Sequence, residues 1–522
     1  MAKGRARKPV RLPLPLALAA MLMAPACRAQ WTVAPTLELH QSYTDNVALS
    51  GADAAQSQMV SELVPGLALS RKGPRFTLNA SFQEHLFAYS KQQSGGTRKS
   101  EQQLQASLHG RLLGELLFLD GSAAIGEQTA SAFGPQINDN PYATSNRTMV
   151  RSYRVAPYLS HHFSDYANAE LRYTRDAVRT DAVGPGRSDG DGLALSLRSG
   201  AMFRDVGWGL RYSRQHVQAG DAGDTTARLL NLNLRYQLTA QVALTADAGR
   251  DQYDYAGQGG APTSGRSWSA GLDWTPSPRS SLQVSLGRRY FGADNSLHLS
   301  HRSRNTVWMG NYTTSVSNGR SEFLQTSTTS TADLLDRLLS ASIPDAAARR
   351  LAVDAYIRNN NVPATLNSSA HYVSNRYELL HQFQISGAFN LPRTTIVVTL
   401  FDTRRSALSQ VQIDNALLGS SGSSANDNTR QTGGAATVNW RPWARTAVNL
   451  GLTYSKSDAL GSAPGAAVSA RNQAVRLGLT RQFPANLSLT AELRHVRGET
   501  ALGATPARYT ENALVATLSK RF

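Results

Sequence analysis

Along the chain from Trp31 to Phe522, apolar and polar residues alternate in segments of about 10 to 16 residues, the rhythm of a tilted membrane strand whose successive side chains point to opposite faces. Phe76, Leu78, Ala80 and Phe82 alternate with Thr77, Asn79, Ser81 and Gln83. Leu230, Leu232, Leu234, Tyr236 and Leu238 alternate with Asn231, Asn233, Arg235 and Gln237, and the pattern returns at 268–274, 282–286, 448–454 and 487–493. It predicts about 22 strands, starting near residues 31, 57, 75, 101, 116, 148, 166, 191, 206, 226, 241, 266, 279, 294, 306, 372, 394, 430, 445, 469, 486 and 509.

A soluble sandwich alternates too, so the connections decide. After even-numbered strands they are very short, as at Lys72-Gly73, Gly114-Glu115, Ser164-Asp165, Thr239-Ala240, Leu391-Pro392 and Pro484-Ala485. After odd-numbered strands they are mostly long and rich in Gly, Ser, Asn and Asp, as at 90–100, 127–147, 257–265 and 406–430; the link at 292–295 departs from the rule. Sorting by parity marks an outer-membrane barrel, with short turns towards the periplasm and long loops outward. The fold class expected is therefore all-β: a transmembrane antiparallel up-and-down barrel with one partly helical extracellular insert. An even strand number lets first and last strands close antiparallel and removes both edges.

The N-terminus gives the destination. Lys3, Arg5, Arg7, Lys8 and Arg11 precede an apolar stretch from Leu12 to Ala26 and the small residue Ala29, the layout of a secretory signal peptide over 1–29 ahead of a barrel over 30–522. Removing 29 residues, six of them basic and none acidic, would lower the formal charge from +17 to +11 and take away Cys27, the single cysteine. Acylation of Cys27 is the rival reading, although Ala24-Pro25-Ala26 lacks the usual Leu of a lipobox. In either case the chain leaves the cytoplasm for the bacterial outer membrane, and its basicity is not a sign of nucleic-acid binding. No apolar run long enough for a membrane helix follows residue 29, and a receptor with an N-terminal plug domain of the TonB type is disfavoured, because the first strand begins almost at once.

The last strand places Leu514, Ala516, Leu518 and Phe522 on one face and Val515, Thr517, Ser519 and Arg521 on the other. A chain ending on Phe522 resembles the C-terminal signal by which the barrel assembly machinery recognises its clients. Tyr43-Thr44-Asp45-Asn46-Val47, Val64-Pro65-Gly66-Leu67, Asn140-Pro141-Tyr142-Ala143-Thr144 with Asn146-Arg147-Thr148, Glu170-Leu171-Arg172-Tyr173, Arg288-Arg289-Tyr290-Phe291-Gly292 and His301-Arg302-Ser303-Arg304 resemble the PEP-CTERM system-associated outer-membrane β-barrel family. The resemblance implies a barrel linked to exopolysaccharide production and export or to protein sorting, with polysaccharide export components as partners, and implies no catalytic mechanism.

Over 318–371 the alternation stops. Leu334, Leu335, Leu338 and Leu339 fit a helical stripe, and Pro344-Asp345 opens a second candidate helix carrying Leu351, Ala355 and Tyr356. Parity puts this insert on the outer side, either as a folded-in constriction or cap that controls the pore or as a loop that packs over its own rim.

Chemistry-bearing motifs are few. The chain holds no phosphate loop, zinc-protease helix or nucleophile elbow, and the adjacent His161 and His162 point to opposite faces of a strand and do not share a metal. No catalytic, cofactor or metal site is nominated. Inward candidates are Arg154, Arg172, Arg211, Arg235, Arg289, Arg302, Arg304, Arg476 and Arg494, interleaved with Glu170, Asp247, Asp251, Glu378 and Glu492. Such a set either favours anions in a pore or braces the wall. Trp31, Trp274, Trp443 and Tyr290 suit an interfacial girdle in contact with lipid. The function expected is a pore or export barrel for a polar, anionic exopolysaccharide or small solute; the alternatives are a non-conducting scaffold and, third, an outer-membrane hydrolase.

Overall fold

The computed structural model describes residues 31–522 except 92–97, 137–139, 144–145, 182–186, 219–223, 256, 258–259, 261, 325–334, 337–352, 354–375, 410–427, 461–467 and 503–505. The proposed signal peptide and most of the insert's expected helical stripes lie outside the described residues.

The described chain forms 22 strands. They are β1 (Trp31–Thr44), β2 (Gln58–Lys72), β3 (Phe76–Tyr89), β4 (Ser100–Leu113), β5 (Leu117–Thr129), β6 (Arg147–Phe163), β7 (Ala167–Thr180) and β8 (Arg187–Ser199). Next come β9 (Val206–Gln218), β10 (Asp224–Gln237), β11 (Val242–Asp254), β12 (Ser264–Ser277), β13 (Ser280–Arg289), β14 (Gly292–Arg302) and β15 (Thr306–Ser317). A short helix, α1 (Gly319–Leu324), precedes β16 (Glu378–Asn390), β17 (Thr394–Ala407), β18 (Asn428–Trp443), β19 (Thr446–Ala459), β20 (Val468–Phe483), β21 (Leu487–Leu502) and β22 (Pro506–Arg521). The sixteenth strand begins later than the pattern predicts, at Glu378, and the side chain of Tyr377 just ahead of it packs in an aromatic cluster.

Every strand pairs antiparallel with the next. β1 also pairs with β22, from Thr36 opposite Arg521 to Thr44 opposite Ala513, so the sheet has no edge. The turns after even-numbered strands are tight, and several need a left-handed backbone: Gly114, Ser164, Ala485 and Asn486 all have φ between 48° and 60°. Between β13 and β14 only Tyr290 and Phe291 intervene, the departure from parity that the sequence shows.

The core of this molecule is outside. Leu230, Leu232, Leu234 and Tyr236 on β10 are 44–50% exposed, and equivalent apolar side chains ring the barrel, from Leu39 on β1 to Leu514 and Leu518 on β22. An apolar band of this kind is solvated by hydrocarbon, and no backbone group is left unpaired against lipid in a closed barrel. Trp31, Trp274 and Trp443 are exposed where strands meet the short turns, forming the expected girdle on that side. Tyr290 does not join them: it lies in the outer mouth, packed on Tyr253 at 5.3 Å between rings, because the turn after β13 carries it over the rim.

Candidate functional site: the charged lumen and its occupants

Inside, small and polar residues dominate, and register fixes which ones. Inward positions on β1 are Glu38, His40, Ser42 and Thr44, since their neighbours Leu37, Leu39 and Tyr43 are exposed. Stepping round the ladder by opposite partners places Arg154, Arg172, Arg211, Arg235, Arg289, Arg302, Arg476 and Arg494 on the lumen face. Arg304 is the exception. β14 ends at Arg302, and Arg304 is exposed in the turn before Thr306, so the alternation that placed it inward runs out at the strand end. His161 and His162 do point apart; His161 meets Phe163 edge-on, 4.5 Å between rings.

Most of these arginines are committed to the wall. Arg172 on β7 reaches Asp120 at 2.6 Å and Glu170 at 2.9 Å, and its guanidinium lies 3.9 Å from the centre of the Tyr158 ring. Arg289 holds Asp251 at 2.7 Å. Arg494 is bidentate on Glu511, whose carboxylate also accepts from Thr44 Oγ1 at 2.7 Å and Asn140 Nδ2 at 2.9 Å. Arg235 makes a looser, half-exposed pair with Asp273 at 3.4 Å. Arg211 is exposed to the lumen and makes no ion pair among the described residues, and its diagonal neighbour Arg198 is in the same condition. Sequence reasoning missed Arg198, although Leu193, Leu195 and Leu197 set its parity in plain view. These cations form a basic patch on the turn-side half of β8–β10. Glu492, inward on β21, faces them from the far side of the ring.

The upper lumen is not empty. Between β5 and β6 the described residues 130–136, 140–143 and 146 fold inward. Phe133 is buried with Ala132 and Ala470 of β20, Ala143 with Ala474, Val496 and Tyr509 of β20–β22, and Tyr142 with Val47 and Val60. The Tyr142 hydroxyl donates to Glu62 at 3.2 Å and shares a hydrogen bond with Ser42 at 2.7 Å, and burial pushes its pKa up. Asn140 ties the same loop to Glu511 and to the Val47 carbonyl.

A second occupant enters from β15. α1 docks on β6 and β7, eight places round the ring from the strand it leaves: Leu324 packs on Val150 and Val178, and Arg320 donates to Asp176 in a pair with both side chains 3% exposed. Burial pulls the Arg320 pKa down. Further along the insert, Leu335 and Val353 are buried against the inward residues Val307, Met309, Ala388, Val397 and Ala435. Val307, Ala388 and Val397 lie beside the short turns of β15–β17, so this part of the insert reaches the periplasmic end of the lumen. The described residues Leu324, Leu335 and Val353 of the insert lie against lumen-facing side chains.

A third cluster closes the wall at β9–β13. Tyr377 is stacked on Tyr255 at 4.7 Å, touches Tyr253 at 5.8 Å and bonds Thr225; burial raises its pKa. No signal in the sequence marks Tyr142 or Arg320 as lumenal, because each acts from outside the alternating segments, and Tyr377 falls just ahead of β16 in a stretch that the pattern assigns to the strand itself.

No protein-family model and no curated protein matches the chain. Among solved structures it is similar to the FrpB iron transporter from Neisseria meningitidis, F5-1 variant: the apoprotein form aligns with a TM-score of 0.51 at 8% identity, over 95% of this chain and 82% of that one. A second structure of that variant gives 0.50 at 9% identity, over 95% and 83%. The ferric enterobactin receptor PfeA from Pseudomonas aeruginosa gives 0.47 at 11%, over 94% and 81%. At such identities the likeness shows the fold: a closed 22-strand barrel of the outer-membrane kind. With its lipid-facing apolar band and parity-sorted loops, the chain is a protein of the bacterial outer membrane.

Proposed function

We propose that the barrel is an outer-membrane transport protein for a polar, anionic solute, exopolysaccharide included, with its lumen obstructed at rest by segments folded in from the outer loops. The observation that carries this reading is the docking of α1 on β6 and β7 through Arg320 and Asp176, which ties one wall to another across the lumen. A structural strut would need only the rim, whereas a buried ion pair on a short helix is a discrete contact that opens as a unit. The basic patch of Arg198, Arg211 and Arg235 supplies the preference for anions. The resemblance to the PEP-CTERM-associated barrels supports an exopolysaccharide as cargo and export components as partners. The FrpB barrel of similar fold is an iron transporter by name, which favours a carrier over a hydrolase.

The burial of Leu335 and Val353 low in the lumen favours a second reading, a barrel that is permanently filled and serves as a scaffold. Planar-bilayer recordings of the refolded chain, its Arg320→Met variant and a chain lacking 318–371, in a salt gradient, separate the two. Anion-favouring current that grows from the first to the third supports transport. Silence in all three supports the scaffold.

A further inference from the structure

On the outward face of β9–β13, just above the apolar band, five arginines stand in neighbouring strands: Arg214, Arg228, Arg250, Arg266 and Arg288. All five are exposed, and none makes a salt bridge or side-chain hydrogen bond among the described residues. Their register is unusual. Arg214 is directly opposite Arg228, Arg250 is directly opposite Arg266, and Arg288 is opposite Trp268, the next outward residue below Arg266.

Like charges placed directly across a ladder repel, and an arginine facing lipid is tolerated at the interface but strongly disfavoured at the bilayer midplane. The five positions satisfy the second condition. Relative to the hydrogen-bonded rows they step towards the short turns by two residues between β10 and β11, where Arg250 faces Leu230 rather than Arg228, and by two more between β12 and β13. Strands tilted by about 40° need a drop of roughly one residue per strand to hold one height, so the stripe is level. Below it run Tyr212, Leu230, Leu232, Trp268 and Leu286. The stripe therefore marks the outer headgroup plane.

The first condition needs an anion. Elsewhere on the outer rim the protein supplies its own: Arg151 pairs with Asp181, Arg175 with Asp191, Arg179 and Arg187 with Asp189, Arg430 with Asp402, and Arg508 with Glu499. Beside the stripe, Asp191 is taken by Arg175, Asp224 lies by His216, and Asp254 sits at the outer tip of β11. We infer that Arg214, Arg228, Arg250, Arg266 and Arg288 form a binding surface for the phosphate groups of an anionic lipid in the outer leaflet. Opposed guanidiniums about 5 Å apart at Cβ are spaced to grip one phosphate from two sides, while the acyl chains lie along the leucine and tryptophan face beneath.

The test uses the refolded full chain in a neutral detergent, titrated with bisphosphorylated lipid A and, separately, with the same lipid stripped of phosphate, bound lipid being counted by native mass spectrometry. The wild type binds the bisphosphorylated lipid. A chain carrying R214Q, R228Q, R250Q, R266Q and R288Q binds it at least about ten-fold more weakly, whereas the lumenal R198Q/R211Q control is unchanged. Should the five-fold variant fail to refold, judged by its heat-modified gel shift, R250Q/R266Q alone reads the same loss. Equal binding by the substituted chain, equal binding of the stripped lipid, or full displacement by millimolar inorganic phosphate would overturn the assignment to a lipid.

Discussion

Arg494 on β21 and Glu511 on β22 form a two-pronged ion pair, Nη2 2.7 Å from Oε1 and Nε 3.1 Å from Oε2, with the side chains 4% and 0% exposed. Both charges are spent on each other and on Thr44 and Asn140. Glu511→Gln strands a buried guanidinium and is expected to destabilise the closing strands by about 3–5 kcal/mol, read as a lower denaturant midpoint. Ion selectivity should be untouched by Arg494→Gln in any variant that still folds, because this arginine presents no free charge to the lumen.

Arg198 and Arg211 are the opposite case. Exposed and without an acidic partner among the described residues, they contribute field to whatever passes. R198Q/R211Q is expected to lower the anion-to-cation permeability ratio by about two-fold or more with no loss of thermal stability; an unchanged reversal potential would make them bystanders.

Arg320 and Asp176 hold α1 against the far wall. Arg320→Met removes one partner of a buried pair and should cost about 3–5 kcal/mol of docking, while the closed ladder keeps the barrel folded. The expected signature is a longer open time in bilayer recordings with an unaltered gel shift. An Asp176→Asn variant should show the same phenotype, and the double variant should not add to it.

Tyr142 couples the β5–β6 loop to the wall through Ser42 and Glu62. Tyr142→Phe should cost about 1–3 kcal/mol, since it leaves polar partners buried. The pH dependence has a definite sign. An unfolded phenol ionises near pH 10 and the folded one later, so its contribution is fully present below pH 10 and falls away as pH rises above it. Denaturant midpoints measured from pH 8 to 11 should therefore converge for wild type and Tyr142→Phe at the alkaline end.

The wall was legible in the sequence because a strand has a period of two, so that one confidently outward Leu assigns every neighbour. Eight of nine nominated arginines follow that parity inward, and Arg304 fails where the strand stops and parity loses its meaning. What sits in the lumen was not legible. Phe133 shares a buried cluster with Ala470, and Leu335 shares one with Ala435, meetings of segments about 100 to 340 residues apart that no ladder register records. Charge state was equally hidden: Arg494 and Arg211 look alike as sequence, and only the position of Glu511 and Asn140 tells them apart. The outward arginines were visible as interruptions of the leucine pattern, but their shared height depends on strand stagger.

The seam between β1 and β22 imposes an order of events on biogenesis. Its pairs join residues about 490 positions apart, Thr36 with Arg521 and Pro35 with the amide of Phe522, so β1 keeps an open edge until β22 has been made and the twenty intervening strands are in place. Such a long-range contact is slow to form, and a waiting edge invites pairing with another chain. A nascent copy that lost its last strand would therefore have an apolar exterior and two sticky margins, and its fate would be decided by whichever protein covered them first.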